Sequence, residues 1–258
     1  MMIKITEYCS MGCPHCMNAA TTNGKDMTFE VLKDTMNFIK ENHLCEKCLI
    51  ITGGEPTEHK EFDKFMNYII DFVGQTKCSM TITVTTNGEQ IEADPERFQG
   101  YVEKANKYGI YLVFQVSADV RYYPRRISVH KRIFREPGFC LVDDCITHMY
   151  PQGRALQHDY KYKANAPKCA NLRLLELQLL MKGKKSFTDL VRGLEAQNKF
   201  CEPHIKINGG IGIGESDLCP SVASIYDSDE EIIKGIMNNR CNQCSKYIDL
   251  NLNAIKLI

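Results

Sequence analysis

The sequence predicts an α/β protein built on parallel strands, and three observations predict it. Short apolar, β-branched runs alternate with longer stretches whose apolar residues recur at spacings of three and four. The alternation holds through several repeats, to about residue 120. Each run ends in turn-forming or cysteine-bearing residues. Repeated strand–helix units give parallel strands joined by right-handed crossovers. A closed barrel and an open doubly wound sheet both satisfy the pattern, and in either one the chemistry sits at the carboxyl ends of the strands.

The elements follow in order. Residues 2–6 form a short strand that stops at the first cysteines. Phe29, Leu32, Met36 and Ile39 share one helical face. Residues 48–52 (CLIIT) are a second strand ending at Gly53-Gly54. Phe62, Phe65, Met66, Ile69 and Val73 mark a second helix, with Gly74 as its stop. Residues 80–85 (MTITVT) are a strand by β-branched content. Phe98, Val102 and Ala105 mark a helix ending before Gly109, and residues 110–116 (IYLVFQV) are a buried strand. Beyond residue 120 the pattern weakens. Residues 121–135 are rich in Arg and Tyr, and residues 139–142 fit a fifth strand. Residues 157–168 read as a polar loop, and 171–181 as either helix or strand. Asn208-Gly209-Gly210 signals a hairpin. Ser228 and Glu231 form a capping box opening a helix with Ile232, Ile233, Ile236 and Met237.

Of 258 residues, 43% are hydrophobic and 25% charged, ordinary for a globular chain that buries a core. Basic and acidic residues balance at 32 each, so no global charge draws the chain to nucleic acid or an anionic membrane. No charged-then-apolar leader is present, and no apolar run approaches the ~20 residues of a membrane span. The expectation is a cytoplasmic protein with no nucleic-acid or membrane partner.

Thirteen cysteines are the anomaly. A disulfide framework suits short secreted chains, whereas close spacing in a long chain points to metal. Cys9-Ser-Met-Gly-Cys13-Pro-His-Cys16 puts three thiols within eight residues on a loop. A cubane iron–sulfur cluster needs four iron ligands, so three protein thiolates leave one iron open for substrate or cofactor. Zinc is the bland alternative, but it ordinarily takes a fourth Cys or His. In the last third of the chain, Cys201, Cys219, Cys241 and Cys244 offer a closed tetrathiolate set for zinc or iron–sulfur. The basic residues 121–135 read as a solvated helix face, or as a site for a phosphate, a carboxylate or an acidic peptide.

The C-x3-C-x2-C loop after a first strand, followed by Gly53-Gly54-Glu55-Pro56 at the end of the second, resembles the radical S-adenosylmethionine (SAM) superfamily. The resemblance covers residues 1–155 and implies a partial (β/α)6 TIM-like barrel. It implies a [4Fe-4S] cluster on Cys9, Cys13 and Cys16, with SAM at the open iron. His15 stands where the family usually has an aromatic residue that contacts the adenine. Gly53, Gly54, Glu55 and Pro56, Asn87 of Thr86-Asn87-Gly88, and Ser117 fall where it places SAM contacts. Arg154, in Gly153-Arg154-Ala155, is a candidate for the SAM carboxylate. The C-terminal cysteines resemble the Twitch form of the SPASM/Twitch extensions, a small α+β subdomain with one auxiliary [4Fe-4S] cluster. Cys169 is a possible replacement ligand. The implied division is a core of residues 1–165 and an auxiliary domain of residues 166–258.

The family's chemistry is reductive cleavage of SAM to a 5′-deoxyadenosyl radical that takes hydrogen from a substrate, with an external flavodoxin- or ferredoxin-like reductant. The first expectation is a maturase that cross-links, oxidises or epimerises a peptide, and Cys140, Cys145 or Cys169 would be the hydrogen donor of an epimerase. The second is a Twitch-type dehydrogenase of a small alcohol or amino sugar. A non-catalytic zinc or iron–sulfur scaffold is the reading from another class.

Overall fold

The computed structural model describes residues 1–45, 48–118, 123–125, 127–142, 153–157, 186, 188, 203–213 and 219–238. Five parallel strands carry the first part: β1 (Met2–Thr6), β2 (Leu49–Gly53), β3 (Thr81–Thr86), β4 (Tyr111–Ser117) and β5 (Phe139–Val142). Their spatial order runs 5-4-3-2-1 without reversal, each strand pairing in parallel with its sequence neighbour. A doubly wound sheet reverses its order at a switch point, so this order leaves the barrel type of winding, with its crossovers on one face.

The helices form for local reasons. In α1 (Phe29–Glu41), the Thr28 hydroxyl caps the first turn by accepting from the Val31 amide at 3.3 Å, and Leu32, Met36 and Ile39 are buried. Helix α2 (Phe62–Thr76) runs past Gly74 and stops at Lys77, whose φ is 55°. Gly74 is therefore not the predicted stop. A Cβ there would sit 2.4 Å from the Tyr108 ring, so the glycine makes room for an aromatic packed on the helix. A short α3 (Glu89–Ala93), not anticipated from the sequence, precedes α4 (Pro95–Lys107). Asp94 caps α4 and Pro95 supplies its first position.

The two faces of the sheet differ. Ile3, Ile5, Leu49, Ile51, Ile82, Val84, Leu112, Phe114 and Val116 are buried on the helix side. The other face carries Lys4, Thr52, Thr83, Thr85 and Gln115. Lys4 stands opposite Thr52, Thr85 opposite Gln115, and Gln115 opposite Cys140.

The predicted hairpin is present and joins this same sheet. Strand β6 (Pro203–Ile205) pairs in parallel with the free edge of β1. β7 (Gly210–Ile213) and β8 (Ser221–Ser224) continue it antiparallel. The turn closes through Gly209, with φ 79°, and Asn208 Oδ1 accepts from the Gly210 amide. The Ser228–Glu231 capping box opens α5 (Asp229–Met237) as predicted. In residues 121–135, the described part has no α-helical face. Arg132–Arg135 is a 3-10 turn, and Arg125, Lys131 and Arg132 pair with Glu89, Glu92 and Glu136. Residues 158–185, which include the predicted polar loop after its first residue and the ambiguous apolar stretch, lie outside the described residues. Among the described residues no helix is long and apolar enough to cross a membrane.

Phe114 is fully buried between Phe98, edge-on at 5.2 Å, and Phe139, stacked at 5.5 Å. Phe114→Ala is expected to cost about 3–5 kcal/mol, read as a lower urea midpoint at unchanged slope.

Candidate active site at the carboxyl end of the sheet

The chain leaves β1 and is held at once. The Thr6 hydroxyl donates to Asp26 Oδ1 at 2.6 Å and accepts from the Tyr8 amide at 2.9 Å. The amides of Glu7 and Cys9 donate to the carbonyls of Lys25 and Thr21 at 2.8 and 3.0 Å. The cysteine loop is thus a closed excursion pinned at both ends. Cys9 and Cys13 are buried and Cys16 is half-buried. With Met11, Ala20 and Tyr123 they form a small apolar cluster separate from the main core. Tyr123 also meets the His15 ring edge-on at 5.0 Å.

The Gly-Gly-Glu-Pro turn fits against the start of this loop. The amides of Gly54 and Glu55 donate to the carbonyls of Thr6 and Tyr8 at 2.7 and 2.8 Å. A Cβ on Gly53 or Gly54 would lie 2.2 Å from those same carbonyl oxygens. Only glycine lets the two strand ends approach so closely. Glu55 is then buried, 2% exposed. Its carboxylate accepts from the Thr57 amide (3.1 Å), the Thr57 hydroxyl (2.6 Å), the Thr86 hydroxyl (2.6 Å) and the Asn87 amide (2.6 Å). Burial lifts its pKa above the ordinary glutamate value while these donors pull against it. One side chain therefore ties the end of β2 to the end of β3.

Further contacts fix the loop from outside. Glu58 accepts from the Ser10 amide and hydroxyl at 2.8 and 2.5 Å. Arg125 donates to the same hydroxyl and pairs with Glu89, both at 2.8 Å. Arg154 reaches the loop from the other side: its Nε donates to the Cys13 carbonyl at 2.8 Å and its Nη1 to the Ala20 carbonyl at 2.7 Å. Gly153 is needed for that approach, because a Cβ there would lie 2.4 Å from the Met17 carbonyl oxygen. Asn18 Nδ2 donates to the Gly53 carbonyl at 3.2 Å and its Oδ1 accepts from Lys4 at 3.4 Å.

Burial raises the Cys9 thiol to about 11 and the Cys13 thiol to about 12. The charges of Glu55, Glu58 and Cys16 raise Cys9 further, those of Cys9 and Cys16 raise Cys13, and Arg154 opposes the shift at Cys13. Among the described residues, no three Cys, His, Asp or Glu side chains are gathered tightly enough to grip a metal ion unaided. The donor chemistry nonetheless fits an iron–sulfur cluster with three thiolate ligands and one open iron. Two buried donors, Asn87 Nδ2 and Arg154 Nη2, have no hydrogen-bond partner among the described residues. Buried orphan donors call for an acceptor, which a polar ligand beside the loop would provide.

Of the residues singled out in the sequence, Cys9, Cys13, Cys16, His15, Gly53, Gly54, Glu55, Asn87 and Arg154 are linked here by the contacts described, and Pro56 is buried at the start of the 3-10 turn that follows Glu55. Ser117 ends β4, half-buried, paired with Val142. Cys219 is buried just before β8, its carbonyl accepting from Lys206. Cys201, Cys241 and Cys244, the other members of its proposed set, lie outside the described residues, as do Cys145 and Cys169. Sequence reasoning missed the roles of Thr86, Ser10, Glu58 and Tyr123. Thr86 and Ser10 lie inside segments already noted, Thr86-Asn87-Gly88 and Cys9–Cys16, whereas nothing local marks Glu58 and Tyr123.

Glu55→Gln puts an amide against donors and is expected to cost about 1–3 kcal/mol, measurable by denaturation. In cluster-free protein, a thiol at about 11 in place of the ordinary 9.0 presents roughly a hundredth of the thiolate near pH 8. Cys9 and Cys13 are therefore expected to alkylate far more slowly than the exposed Cys140, with the gap closing as pH rises, as followed by mass spectrometry.

The family profile described as the Radical SAM superfamily matches residues 3–151, more than half of the chain. No curated protein matches. Among solved structures, the chain is similar to BtrN in complex with AdoMet and 2-DOIA, at 12% identity and a TM-score of 0.52 over 96% of this chain and 83% of that one. It is also similar to anSMEcpe with bound AdoMet and Cp18Cys peptide (13% identity, TM-score 0.43, 96% and 82% covered). A further match is Streptococcus suis SuiB bound to precursor peptide SuiA (16% identity, TM-score 0.40, 93% and 66% covered). At this identity the BtrN likeness speaks for the fold alone, a partial TIM-like barrel on a parallel sheet. The profile match speaks for more, including the [4Fe-4S] cluster and SAM that the family implies. The chain belongs to the Radical SAM superfamily.

Proposed function

We propose that the protein cleaves SAM reductively and uses the resulting radical to take a hydrogen atom from an organic substrate. The observation that carries this reading is the cysteine loop seated on the Gly53-Gly54-Glu55-Pro56 turn at adjoining strand ends. Cys9, Cys13 and Cys16 would hold the [4Fe-4S] cluster, and SAM would complete the open iron. Bound together, these groups would supply a 5′-deoxyadenosyl radical, given one electron from an external flavodoxin- or ferredoxin-like protein. The chain's own part is to bind, orient and shield. His15 and Tyr123 offer an aromatic edge for an adenine. Backbone groups of Gly53–Pro56 offer acceptors for an ammonium. The orphan Nδ2 of Asn87 and Nη2 of Arg154 offer donors for a carboxylate or ribose, and Ser117 offers a hydroxyl. Arg154 also holds the loop carbonyls, so its contribution includes keeping the thiols in place.

The core would span residues 1–165. Residues 166–258 would form a Twitch-like domain, with Cys201, Cys219, Cys241 and Cys244 around a second [4Fe-4S] cluster that binds substrate or accepts its electron. A peptide is the first candidate substrate, and the net reaction would be its cross-linking, oxidation or epimerisation. A small alcohol or amino sugar is the second. One observation favours it: the row of amine, hydroxyl and amide side chains formed by Lys4, Thr52, Thr85 and Gln115 on one face of the sheet.

The test is anaerobic reconstitution followed by assay for 5′-deoxyadenosine from SAM and dithionite. Replacing Cys9, Cys13 and Cys16 by Ala is expected to remove about four irons and all SAM cleavage. Replacing Cys241 and Cys244 is expected to remove about four different irons and spare the cleavage. A fully loaded protein that yields no 5′-deoxyadenosine would sink the enzyme reading in favour of a scaffold. Zinc in place of iron at the second site would sink the Twitch assignment.

A further inference from the structure

The amino ends of β2 and β3, at the opposite end of the sheet from the cysteine loop, hold a second group of thiols. Cys45 follows α1 and Cys48 immediately precedes β2. Cys78 follows α2 just before β3. In the sequence, Cys45-x2-Cys48 is half of a metal motif without a partner. The fold brings Cys78 to it. The Cys45 thiol donates to the Cys78 carbonyl at 3.0 Å. Cys48 turns away: its sulfur lies 3.5 Å from Thr83 Oγ1 and 3.7 Å from its neighbour's carbonyl. Cys45 is 1% exposed, whereas Cys78 is open in part to solvent. Neither is bridged.

An accessible thiol with a buried thiol at its side is the arrangement of an attacking cysteine and its resolving partner. The surroundings support that division. The adjacent Cys45 most of all, then Thr76, a backbone amide and the Lys40 charge, hold the Cys78 thiol below its ordinary value against the effect of burial. The thiolate is the nucleophilic form.

We infer that Cys78 and Cys45 form a peroxide-sensitive dithiol, in which Cys78 attacks and Cys45 resolves. The Cys78 thiolate attacks one oxygen of hydrogen peroxide, the O–O bond breaks, and hydroxide leaves and takes a proton to become water. Cys78 is now a sulfenic acid. Cys45 then attacks the Cys78 sulfur, the S–O bond breaks, and a second water leaves. Two thiols and one peroxide become one disulfide and two waters. The bridge would staple the connection entering β2 to the one entering β3. The site does not depend on the SAM reading, since none of its atoms belongs to the cysteine loop.

The test uses the full chain, reconstituted anaerobically, exposed to about one equivalent of hydrogen peroxide and quenched with an alkylating agent. Trypsin separates the three thiols, because Lys40, Lys47, Lys60, Lys77 and Arg97 place Cys45, Cys48 and Cys78 on peptides 41–47, 48–60 and 78–97. The expected product is a disulfide between peptides 41–47 and 78–97, formed at least about tenfold faster than oxidation of the exposed Cys140. In Cys45→Ser, a dimedone adduct is expected at Cys78. In Cys78→Ser, Cys45 is expected to stay reduced. Should either variant fold poorly, the wild-type alkylation rates of Cys78 and Cys140 near pH 7 carry the same comparison. Oxidation of Cys140 before Cys78, a Cys48 linkage, or Cys45 oxidation that survives Cys78→Ser would each overturn the inference. Iron content and 5′-deoxyadenosine yield are read separately, so failure of the SAM reading leaves this result standing.

Discussion

The carboxyl end of the sheet depends on the buried Glu55 carboxylate. A charge-bearing group placed there without partners would destabilise the fold by several kcal/mol. Its four donors come from its own turn and from the end of β3. Satisfying it therefore fixes where β2 and β3 end relative to each other. Two amides of the same turn reach back to the carbonyls of Thr6 and Tyr8, which fixes where β1 ends and where the cysteine loop begins. The start of the loop that carries three thiols thus depends on a carboxylate distant in sequence, just past the end of another strand. A polar network of this kind rigidifies when every member is satisfied and fails as a unit when one is not.

The loop has little regular structure of its own, so its order comes from neighbours. Glu58, Arg125 and Arg154 each bind a main-chain group or Ser10 from a different direction. Two of these are arginines far along the chain, held by short-range contacts to backbone and hydroxyl groups. The thiols themselves are costly to ionise where they sit, because burial and mutual charge both favour the protonated form. Such a site is better suited to a multivalent cationic partner than to standing open in water.

Much of this was legible in the sequence because its causes are local. Periodicity located β1 to β4 and their helices, and the Ser228–Glu231 box located the last helix. The spacing of Cys9, Cys13 and Cys16 and the adjoining glycine turn marked the site. Features with distant causes were not legible. Gly74 looked like a helix stop because its partner, the Tyr108 ring, lies across the fold. Residues 121–135 looked like a charged helix face, yet Arg125 and Lys131 answer Glu89 and Glu92 on another segment. Glu55 was recognisable as part of a motif, but its donors Thr86 and Asn87 come from the next strand. Tyr123 sits in a stretch without periodicity, and only the folded chain brings it to His15.

The pairing of β6 with β1 bears on how the molecule is made. A ribosome adding ~5–20 residues per second reaches β2 soon after β1, but needs about another 10–40 s after β1 to reach residues 203–205. Until then one edge of the first strand has no partner in the chain, and an open edge is a template for pairing with another molecule. Lys4, in the middle of that strand and 1% exposed in the finished fold, is the kind of inward charge that discourages such pairing. The late arrival of β6 also gives the fold long-range contacts of the kind that slow folding, which makes nascent-chain protection at this edge a property encoded in the topology itself.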